Sequence, residues 1–386
     1  MINQIVRYEP YYGEWITMED NGDVVSVEFT DDFNKSDYPD IFFVKPEHDV
    51  SQACSVPIVL QLLLTRRCNY KCINCHVQSA ELKKELTTGE VKNLISQAAN
   101  EGVLMVRFSG GESSLRSDIV ELIKYTKSLG LKCALLSSCL GFSDELWDIL
   151  PELCYVQPHL DSAVESTFNR LTGGDHFKRF ESTIEKLYKR RININPATTL
   201  QKENLNEIKA LIDFSAKYGL RVRINALYKE GDYIEDSWDD YYNNVVLPFQ
   251  NCQNEYQSYA EEKGVEFVAF TQRQEWGEEI GDTMAVISPW GRSFIIVDSE
   301  GLIYPAPFLM HKKELVMGSI RNGDNIYDLW RNAPILKVLR NLTKERIGCG
   351  NCRMDCVFTN PFFSYSYFGE FGHVLPHVDC INKRFQ

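Results

Sequence analysis

Apolar runs and amphipathic stretches alternate from residue 57 to 228, and this alternation limits the fold more than any other feature of the chain. The apolar runs have the length of strands and fall at 58–64, 103–108, 132–138, 155–160, 192–199 and 221–227. The stretches between them are helical in period and fall at 87–101, 117–129, 144–150, 175–190 and 204–218. Strands that alternate with helices indicate βαβ units and a parallel sheet. The pattern therefore predicts an α/β fold.

Three cysteines follow the first strand. Cys68, Cys72 and Cys75 are spaced Cys-x3-Cys-x2-Cys and fall in the first βα loop, at the edge where barrels of such units place active sites. Three thiolates can hold three irons of a cubane cluster and leave the fourth iron without a protein ligand. Zinc is the alternative occupant, but structural zinc is normally closed by four ligands, and the adjacent His76 is badly placed to complete a tetrahedron.

The second strand ends in Gly110-Gly111-Glu112. The glycines let the backbone approach a ligand closely, and Glu112 offers a carboxylate to an ammonium group. The cysteine triplet followed by this motif resembles the radical S-adenosylmethionine (SAM) enzymes. The resemblance implies a partial (β/α)6 TIM-like barrel and a [4Fe-4S] cluster coordinated by the three cysteines and SAM. It also implies a 5'-deoxyadenosyl radical that abstracts a hydrogen atom from the substrate, and a flavodoxin- or ferredoxin-type electron donor.

The same resemblance marks further residues as candidate SAM contacts. Polar side chains end the later strands; they are Asp161, Ser162, Thr198, Thr199 and Asn225. Each could equally be an ordinary strand-end residue or the cap of the next helix. The family commonly has an aromatic residue before the third cysteine, where this chain has Asn74, so Tyr70 or His76 is expected near the adenine instead.

Cys139 ends the third strand. A thiol at the mouth of the barrel could donate a hydrogen atom to a substrate radical, as in some radical SAM epimerases. A small buried hydrophobe is the ordinary role of a free cysteine and is the alternative.

A second set of cysteines lies near the C-terminus. Four thiolates could close a zinc site or a [4Fe-4S] cluster; they are Cys349, Cys352, Cys356 and Cys380. Behind the barrel, this tail resembles the SPASM/Twitch extension of radical SAM enzymes. The residues ahead of it agree, because 294–305 reads as a hairpin with a Gly-containing turn and is followed by the segments 317–320 and 326–330.

A complete SPASM domain has further cysteines. Ser288 and Ala306 take the places that flank the hairpin, and no counterpart of a seventh cysteine is found before Pro361. The resemblance therefore implies one auxiliary [4Fe-4S] cluster, held by the four tail cysteines and suited to electron transfer or structure.

The remaining segments complete a division into four parts. Residues 1–56 contain short β-prone runs around Asn21-Gly22, a hairpin turn signal, and predict a small β-rich module. It could bind the leader of a peptide at a strand edge, or simply pack on the barrel. The barrel follows at 57–228, then an acidic or helical linker or insertion at 229–284, and the SPASM/Twitch-like domain at 285–386.

Composition excludes other classes. The chain has 386 residues and a net charge of −13, which disfavours nucleic acid as a partner. No apolar run is long enough to span a bilayer, and the N-terminus shows no signal pattern, so no membrane partner and a cytoplasmic location are expected.

The sequence therefore predicts a radical SAM enzyme that modifies a ribosomally synthesised peptide at an unactivated carbon. The products considered are a crosslink, an epimerised residue or a dehydrogenation. The alternative substrate is a small natural-product precursor such as a sugar, an aminoglycoside or a nucleoside. A catalytically idle iron-sulfur protein is a third interpretation, which the open iron argues against.

Overall fold

The computed structural model describes residues 4–29, 33–44, 50, 52–77, 84–271, 274–275, 290–342, 354–355 and 361–371. In this part of the chain, no helix is long and apolar enough to cross a bilayer.

The chain opens with a four-stranded sheet. Its strands are β1 (Gln4–Glu9), β2 (Glu14–Met18), β3 (Val24–Val27) and β4 (Ile41–Val44), in the order β3-β2-β1-β4. The β2–β3 hairpin turns at Asn21-Gly22, as predicted, and β4 runs parallel to β1. Arg7 and Glu9 form a fully buried ion pair of 3.0 Å. Arg7 also donates to the carbonyls of Val56 and Gly102, so the sheet is fixed to the start of the barrel.

Six parallel strands form the partial barrel. They are β5 (Val59–Leu63), β6 (Met105–Ser109), β7 (Lys132–Ser137), β8 (Tyr155–Pro158), β9 (Thr198–Thr199) and β10 (Val222–Asn225). Strands β5 to β8 pair in chain order, and β9 pairs with β10. Isolated parallel bridges at Val156–Ile194 and His159–Ala197 connect the two halves.

Helices cover the outside of these strands. They are α1 (Thr88–Glu101), α2 (Ile119–Ser128), α3 (Asp144–Ile149), α4 (Glu165–Thr172), α5 (Phe177–Lys189) and α6 (Ile208–Tyr218). In α5 the buried residues Phe177, Phe180, Ile184 and Leu187 recur at helical spacing, so one face packs on the sheet. The predicted helices are found, and α4 is an additional one.

The fifth predicted strand is much shorter than expected. Only Thr198–Thr199 forms a strand within the predicted range 192–199. Pro196 lies in the middle of this range. Because proline has no N–H to donate, it interrupts a ladder in the interior of a sheet. The remainder of the range contributes only the two isolated bridges.

The barrel sheet continues past residue 228. The chain forms α7 (Trp238–Tyr241), a π-helical turn, α8 (Leu247–Glu262) and β11 (Phe267–Ala269). Strand β11 pairs parallel with β10. The described part of the predicted insertion 229–284 therefore includes one further helix-strand unit of the sheet.

The C-terminal part adds strands at the other edge. Its elements are β12 (Gln274–Glu275), β13 (Phe294–Val297), β14 (Leu302–Tyr304), β15 (Gly318–Ser319), α9 (Ile326–Asn332), α10 (Pro334–Arg340), β16 (Met354–Asp355) and α11 (Pro361–Phe368). Strands β13 and β14 form the predicted hairpin, and β12 pairs with β16. Strand β13 also pairs parallel with β5, so the hairpin extends the barrel sheet directly.

Candidate active site

The three cysteines lie in one loop at the C-terminal end of β5. We call residues 65–77 the cluster loop. Cys68, Cys72 and Cys75 are each partly buried there. Burial raises the pKa of Cys68 to about 11 and the pKa of Cys72 well above its usual value. The charges of Cys68 and Cys75 also raise the pKa of Cys72, so the three sulfurs lie near one another.

Hydrogen bonds from the second strand hold the start of this loop. Leu64 N donates to Ser109 O at 2.8 Å, and Gly111 N donates to Thr65 O at 2.7 Å. Glu112 N then donates to Arg67 O at 2.7 Å. The Gly-Gly-Glu motif thus runs alongside the cluster loop as an irregular continuation of the sheet.

The two glycines of that motif are needed for this approach. A Cβ on Gly110 would lie 2.5 Å from Thr65 O, and one on Gly111 would lie 2.4 Å from Arg67 O. Side chains at either position would push the two backbones apart. The sequence predicted a close backbone approach to a ligand, whereas the structure shows the approach to be to the cluster loop.

Two more glycines contact the loop from other elements. Gly173 ends α4 with a φ of 72°, and a Cβ there would lie 2.7 Å from Lys71 O. Gly231 follows β10 with a φ of 60°, and its Cβ would lie 2.2 Å from Ile73 O. Sequence reasoning missed both; a glycine just after a helix and a glycine inside an acidic run were the available signals.

Backbone hydrogen bonds accompany these two contacts. Lys71 N and Ile73 N donate to Thr172 O and Leu171 O at the end of α4, at 2.9 and 3.1 Å. Asp232 N donates to Ile73 O at 2.7 Å. The conformation of the cluster loop is therefore set by three other loops of the barrel.

Glu112 connects the second strand to the third. Its carboxylate is fully buried and accepts hydrogen bonds from Ser114 N at 2.9 Å, from Ser137 Oγ at 3.0 Å and from Ser138 N. The carboxylate is thus held in one position next to the cluster loop. Its predicted role with the SAM ammonium group stays a prediction.

Asp161 contacts Asn74, the residue before Cys75. It accepts from Thr199 N at 2.7 Å and from Asn74 Nδ2 at 3.3 Å, and it pairs with His159 Nδ1 at 3.4 Å. Burial opposes the charge on His159, but the pair with Asp161 raises the pKa of His159 above its usual value. Asp161 and Asn74 therefore join the fourth strand to the cluster loop.

Three further predicted contact residues have partners within the protein. Ser162 Oγ accepts from Val164 N ahead of α4 and donates to Glu207, but α4 has no side-chain cap. Thr198 Oγ1 donates to Leu160 O at 2.6 Å and is buried. Asn225 ends β10 beside Thr199, and its carbonyl accepts from Leu200 N. Its predicted SAM contact stays a prediction.

Tyr70 is almost entirely buried, and its predicted adenine contact stays a prediction. Its ring is only 4% exposed and packs against Phe168 and His176, with centroid distances of 6.1 and 4.9 Å. Its hydroxyl donates to Ser138 O at 2.9 Å. Tyr70 is a packing residue of the cluster loop.

Cys139 is fully buried, with a φ of 58°, and its thiol contacts Ser137 O at 3.8 Å. Burial raises the pKa of this thiol. This position favours the alternative interpretation, a small buried hydrophobe, and hydrogen-atom donation by Cys139 stays a prediction.

The predicted auxiliary ligands Cys349, Cys352, Cys356 and Cys380 lie outside the described residues, as does Ser288. His76 itself follows Cys75, and burial lowers its pKa to about 4. Ala306, which takes the place of the second SPASM cysteine at the hairpin, is buried.

The donor set fits an iron-sulfur cluster. Within the described ranges, no three His, Cys, Asp or Glu side chains converge as ligands of a single metal ion do. A cubane cluster needs a wider spacing of its ligands, because each thiolate ligates a different iron. Partly buried thiols that a cation would deprotonate, in a loop fixed by four glycine contacts, meet that requirement.

The fold and the site together define the class. A partial parallel barrel that carries a three-cysteine loop after its first strand, with Gly-Gly-Glu after its second, is the arrangement of a radical SAM enzyme. Residues 62–215 match the family model of the Radical SAM superfamily, so the chain carries a radical SAM domain, and this family uses SAM and a [4Fe-4S] cluster.

Two named relatives and one solved structure are similar to this chain over most of its length. The chain is similar to the PqqA peptide cyclase of Rhodopseudomonas palustris, with 26% identity over 78% of this chain and 81% of that protein. It is also similar to the mycofactocin maturase MftC of Mycolicibacterium smegmatis, with 24% identity over 77% and 75%. The crystal structure of Streptococcus suis SuiB shares the fold with a TM-score of 0.64 and 16% identity, over 89% of this chain and 90% of that one.

Proposed function

We propose that this enzyme modifies a ribosomally synthesised peptide at an unactivated carbon, by a crosslink, an epimerisation or a dehydrogenation. The observation that carries the radical chemistry is the cluster loop, whose three cysteines leave one iron of a cubane open. The relatives support a peptide substrate, because they are named a peptide cyclase and a mycofactocin maturase. Each of them matches this chain over most of its own length.

The chain's own residues position the chemistry. Cys68, Cys72 and Cys75 would hold the cluster, and the buried carboxylate of Glu112 would accept the SAM ammonium group. Asp161 would contribute to the opposite side of the same ligand. When bound, the cluster and SAM supply a 5'-deoxyadenosyl radical that removes a hydrogen atom from the substrate.

Two further parts of the proposal concern electrons. The four tail cysteines would hold one auxiliary [4Fe-4S] cluster that transfers electrons or stabilises the tail. A flavodoxin- or ferredoxin-type protein would reduce the enzyme. Because such clusters need reducing conditions, we place the enzyme in the cytoplasm.

The N-terminal sheet combines two roles in this proposal. Its buried residues Arg7 and Glu9 contact Val56, Gly102 and Ser55, which serves packing. Strand β3 forms one edge of the sheet as described, and its side chains are at least partly exposed. A peptide leader would add to this edge as a further strand.

The test is 5'-deoxyadenosine formation by anaerobically reconstituted protein with SAM and a reductant. The wild type and Cys252→Ala, a partly buried cysteine of α8, are expected to form it, and Cys72→Ala is expected to form none. Equal formation by all three would contradict the cluster assignment. Candidate peptides and small precursors are then compared, and a mass change only in a small precursor would replace the peptide proposal.

A further inference from the structure

Two arginines project into the interior of the barrel. Arg107 on β6 contacts Gln157 on β8 at 3.1 Å and lies over the ring of Phe294 on β13, 5.6 Å from its centroid. Each of these strands is two places away from β6 in the sheet, on opposite sides. A side chain reaches both only from the concave face of a curved sheet. Arg107 therefore points into the barrel.

Arg223 on β10 reaches the same space. Its charge acts on Arg107, four strands away along the barrel wall, and on His159 at the end of β8. On β10 the buried Val222 and Ile224 face one side of the sheet, so Arg223 between them points to the opposite side, which is the barrel interior. Burial lowers the pKa of Arg223 to about 10, and the positive charges of Arg221 and Arg107 lower it further in the same direction.

Neither arginine has a carboxylate partner among the described residues. The Nε of each is buried without a hydrogen-bond acceptor, and the one side-chain acceptor that Arg107 does reach is the neutral amide of Gln157. The neighbouring Arg221, by contrast, pairs with Glu266 at 3.8 Å. Both arginines are partly exposed, with a buried Nε each, and two such positive charges on one face would attract an anion.

The β2–β3 hairpin lies at the end of the strands away from the cluster loop. Its turn lies against Tyr155 and Met105, since a Cβ on Gly22 would be 3.0 Å from Tyr155 Cε1 and 3.2 Å from Met105 Cε. At the other end lie His159, Asp161 and the cluster loop. An anion bound by the arginines would lie between these two ends.

We propose that Arg107 and Arg223 bind a carboxylate of the substrate, either an acidic side chain or the C-terminus of the peptide, below the SAM site. The proposal rests on the function proposed above only in assigning the carboxylate to the substrate. The backbone of Arg107 is two residues, roughly 7 Å, below the strand end at Ser109. A carboxylate bound there would place the attached carbons between the arginines and the cluster loop, and neutral substrates would be discriminated against.

A binding experiment tests this without turnover. The full chain is reconstituted with its cluster and SAM, and two probes are titrated by saturation-transfer NMR: N-acetyl-glutamic acid α-amide and its neutral isostere N-acetyl-glutamine amide. The wild type is expected to bind the acid at least tenfold more tightly. Arg223→Gln is expected to reduce this ratio below threefold, and Arg223→Lys to retain part of it.

Arg221→Gln is the matched control, because it removes a positive charge from the same strand region. It is expected to leave the ratio of acid to amide affinity unchanged. Arg107→Gln serves as the second variant if Arg223→Gln does not fold by circular dichroism. The wild type failing to prefer the acid overturns the proposal. So does a tenfold loss of SAM affinity in Arg223→Gln with the ratio intact, which would assign the carboxylate to SAM. Deoxyadenosine formation is measured separately, so failure of the proposed function is distinguished from failure of this site.

Discussion

At the scale of single residues, the cluster loop depends on glycines as much as on cysteines. Four glycines bring another backbone so close to the loop that a Cβ would clash with it; they are Gly110, Gly111, Gly173 and Gly231. The loop has no regular structure of its own over Arg67–His76. Its conformation, and hence the spacing of the three sulfurs, is therefore fixed by neighbours that carry no metal ligand.

Gly231→Ala tests this dependence. The new Cβ would lie 2.2 Å from Ile73 O and 3.0 Å from Cys75 N, and the residue has a φ of 60°, which costs about 1–2 kcal/mol for alanine. We expect the reconstituted variant to bind less than half the iron of the wild type in the site cluster and to melt at a lower temperature.

Gly264→Ala is the control for this substitution. Gly264 has a similar φ of 67°, but nothing lies within 4 Å of its Cβ position. The control is expected to lose about 1–2 kcal/mol of stability through the left-handed backbone and to keep its iron. A full iron content in Gly231→Ala, measured together with the cluster's absorbance, would show that the loop does not need this contact.

The site was partly predictable at this scale. The cysteine spacing and Gly-Gly-Glu are local motifs, so the sequence alone located the cluster loop and the element beside it. The contacts of Gly173 and Gly231 were not predictable, because they depend on which distant loops meet. Burial of Tyr70 was likewise not predictable, because position in a loop does not say which way a side chain turns, whereas burial of Cys139 was the ordinary expectation for a free cysteine.

At the scale of elements, hydrophobic periodicity predicted the long helices and central strands well. It missed α4, which has eight residues and lies between two loops, and it overextended β9 across Pro196. It also assigned the acidic run after β10 to a solvated linker. In the structure, the run begins with the buried Glu230, whose carboxylate accepts the N–H of Leu309 from the C-terminal part.

Glu230 makes stability depend on pH. Burial raises its pKa to about 8, whereas a glutamate in the unfolded chain titrates near 4.3. Between these values the native state keeps a proton that the unfolded state releases. The free energy of unfolding therefore falls as pH rises from about 4.3 to 8, by at most about 1.4 kcal/mol per pH unit from this group.

Urea unfolding at pH 5, 6, 7 and 8 measures this effect. Glu230→Gln, which cannot ionise, is expected to lose this part of the pH dependence and to gain stability relative to the wild type as pH rises. Glu235→Gln changes an exposed carboxylate five residues away and should follow the wild type. Parallel curves for Glu230→Gln and the wild type would contradict the assignment of a buried proton.

At the scale of the whole molecule, the N-terminal sheet, the barrel and the C-terminal part share one connection. Residues 52–57 lead from the sheet into β5, and they form hydrogen bonds with the N-terminal sheet and with the C-terminal part. Arg7 of β1 donates to the carbonyls of Val56 and Pro57, and Cys54 N donates to Arg292 O ahead of β13. Trp330 of α9 donates from Nε1 to Cys54 O at 2.9 Å. The four-part division read from the sequence therefore does not imply four independently stable units.

Trp330→Ala tests whether these parts unfold together. The indole is fully buried, with the guanidinium of Arg340 4.3 Å above its ring, so its removal should cost about 3–5 kcal/mol. Because the residue joins α9 to the connection at Cys54, hydrogen exchange is expected to accelerate both in β1–β2 and in β13–β14. Trp330→Phe keeps most of the volume and loses the N–H, so it should cost about 1–3 kcal/mol with the same regional pattern. Faster exchange confined to α9 and α10 would mean that the C-terminal part opens alone. Acceleration in β1–β2, in β13–β14 and in α9–α10, with one melting transition by circular dichroism, would mean that the N-terminal sheet and the C-terminal part unfold as one cooperative unit.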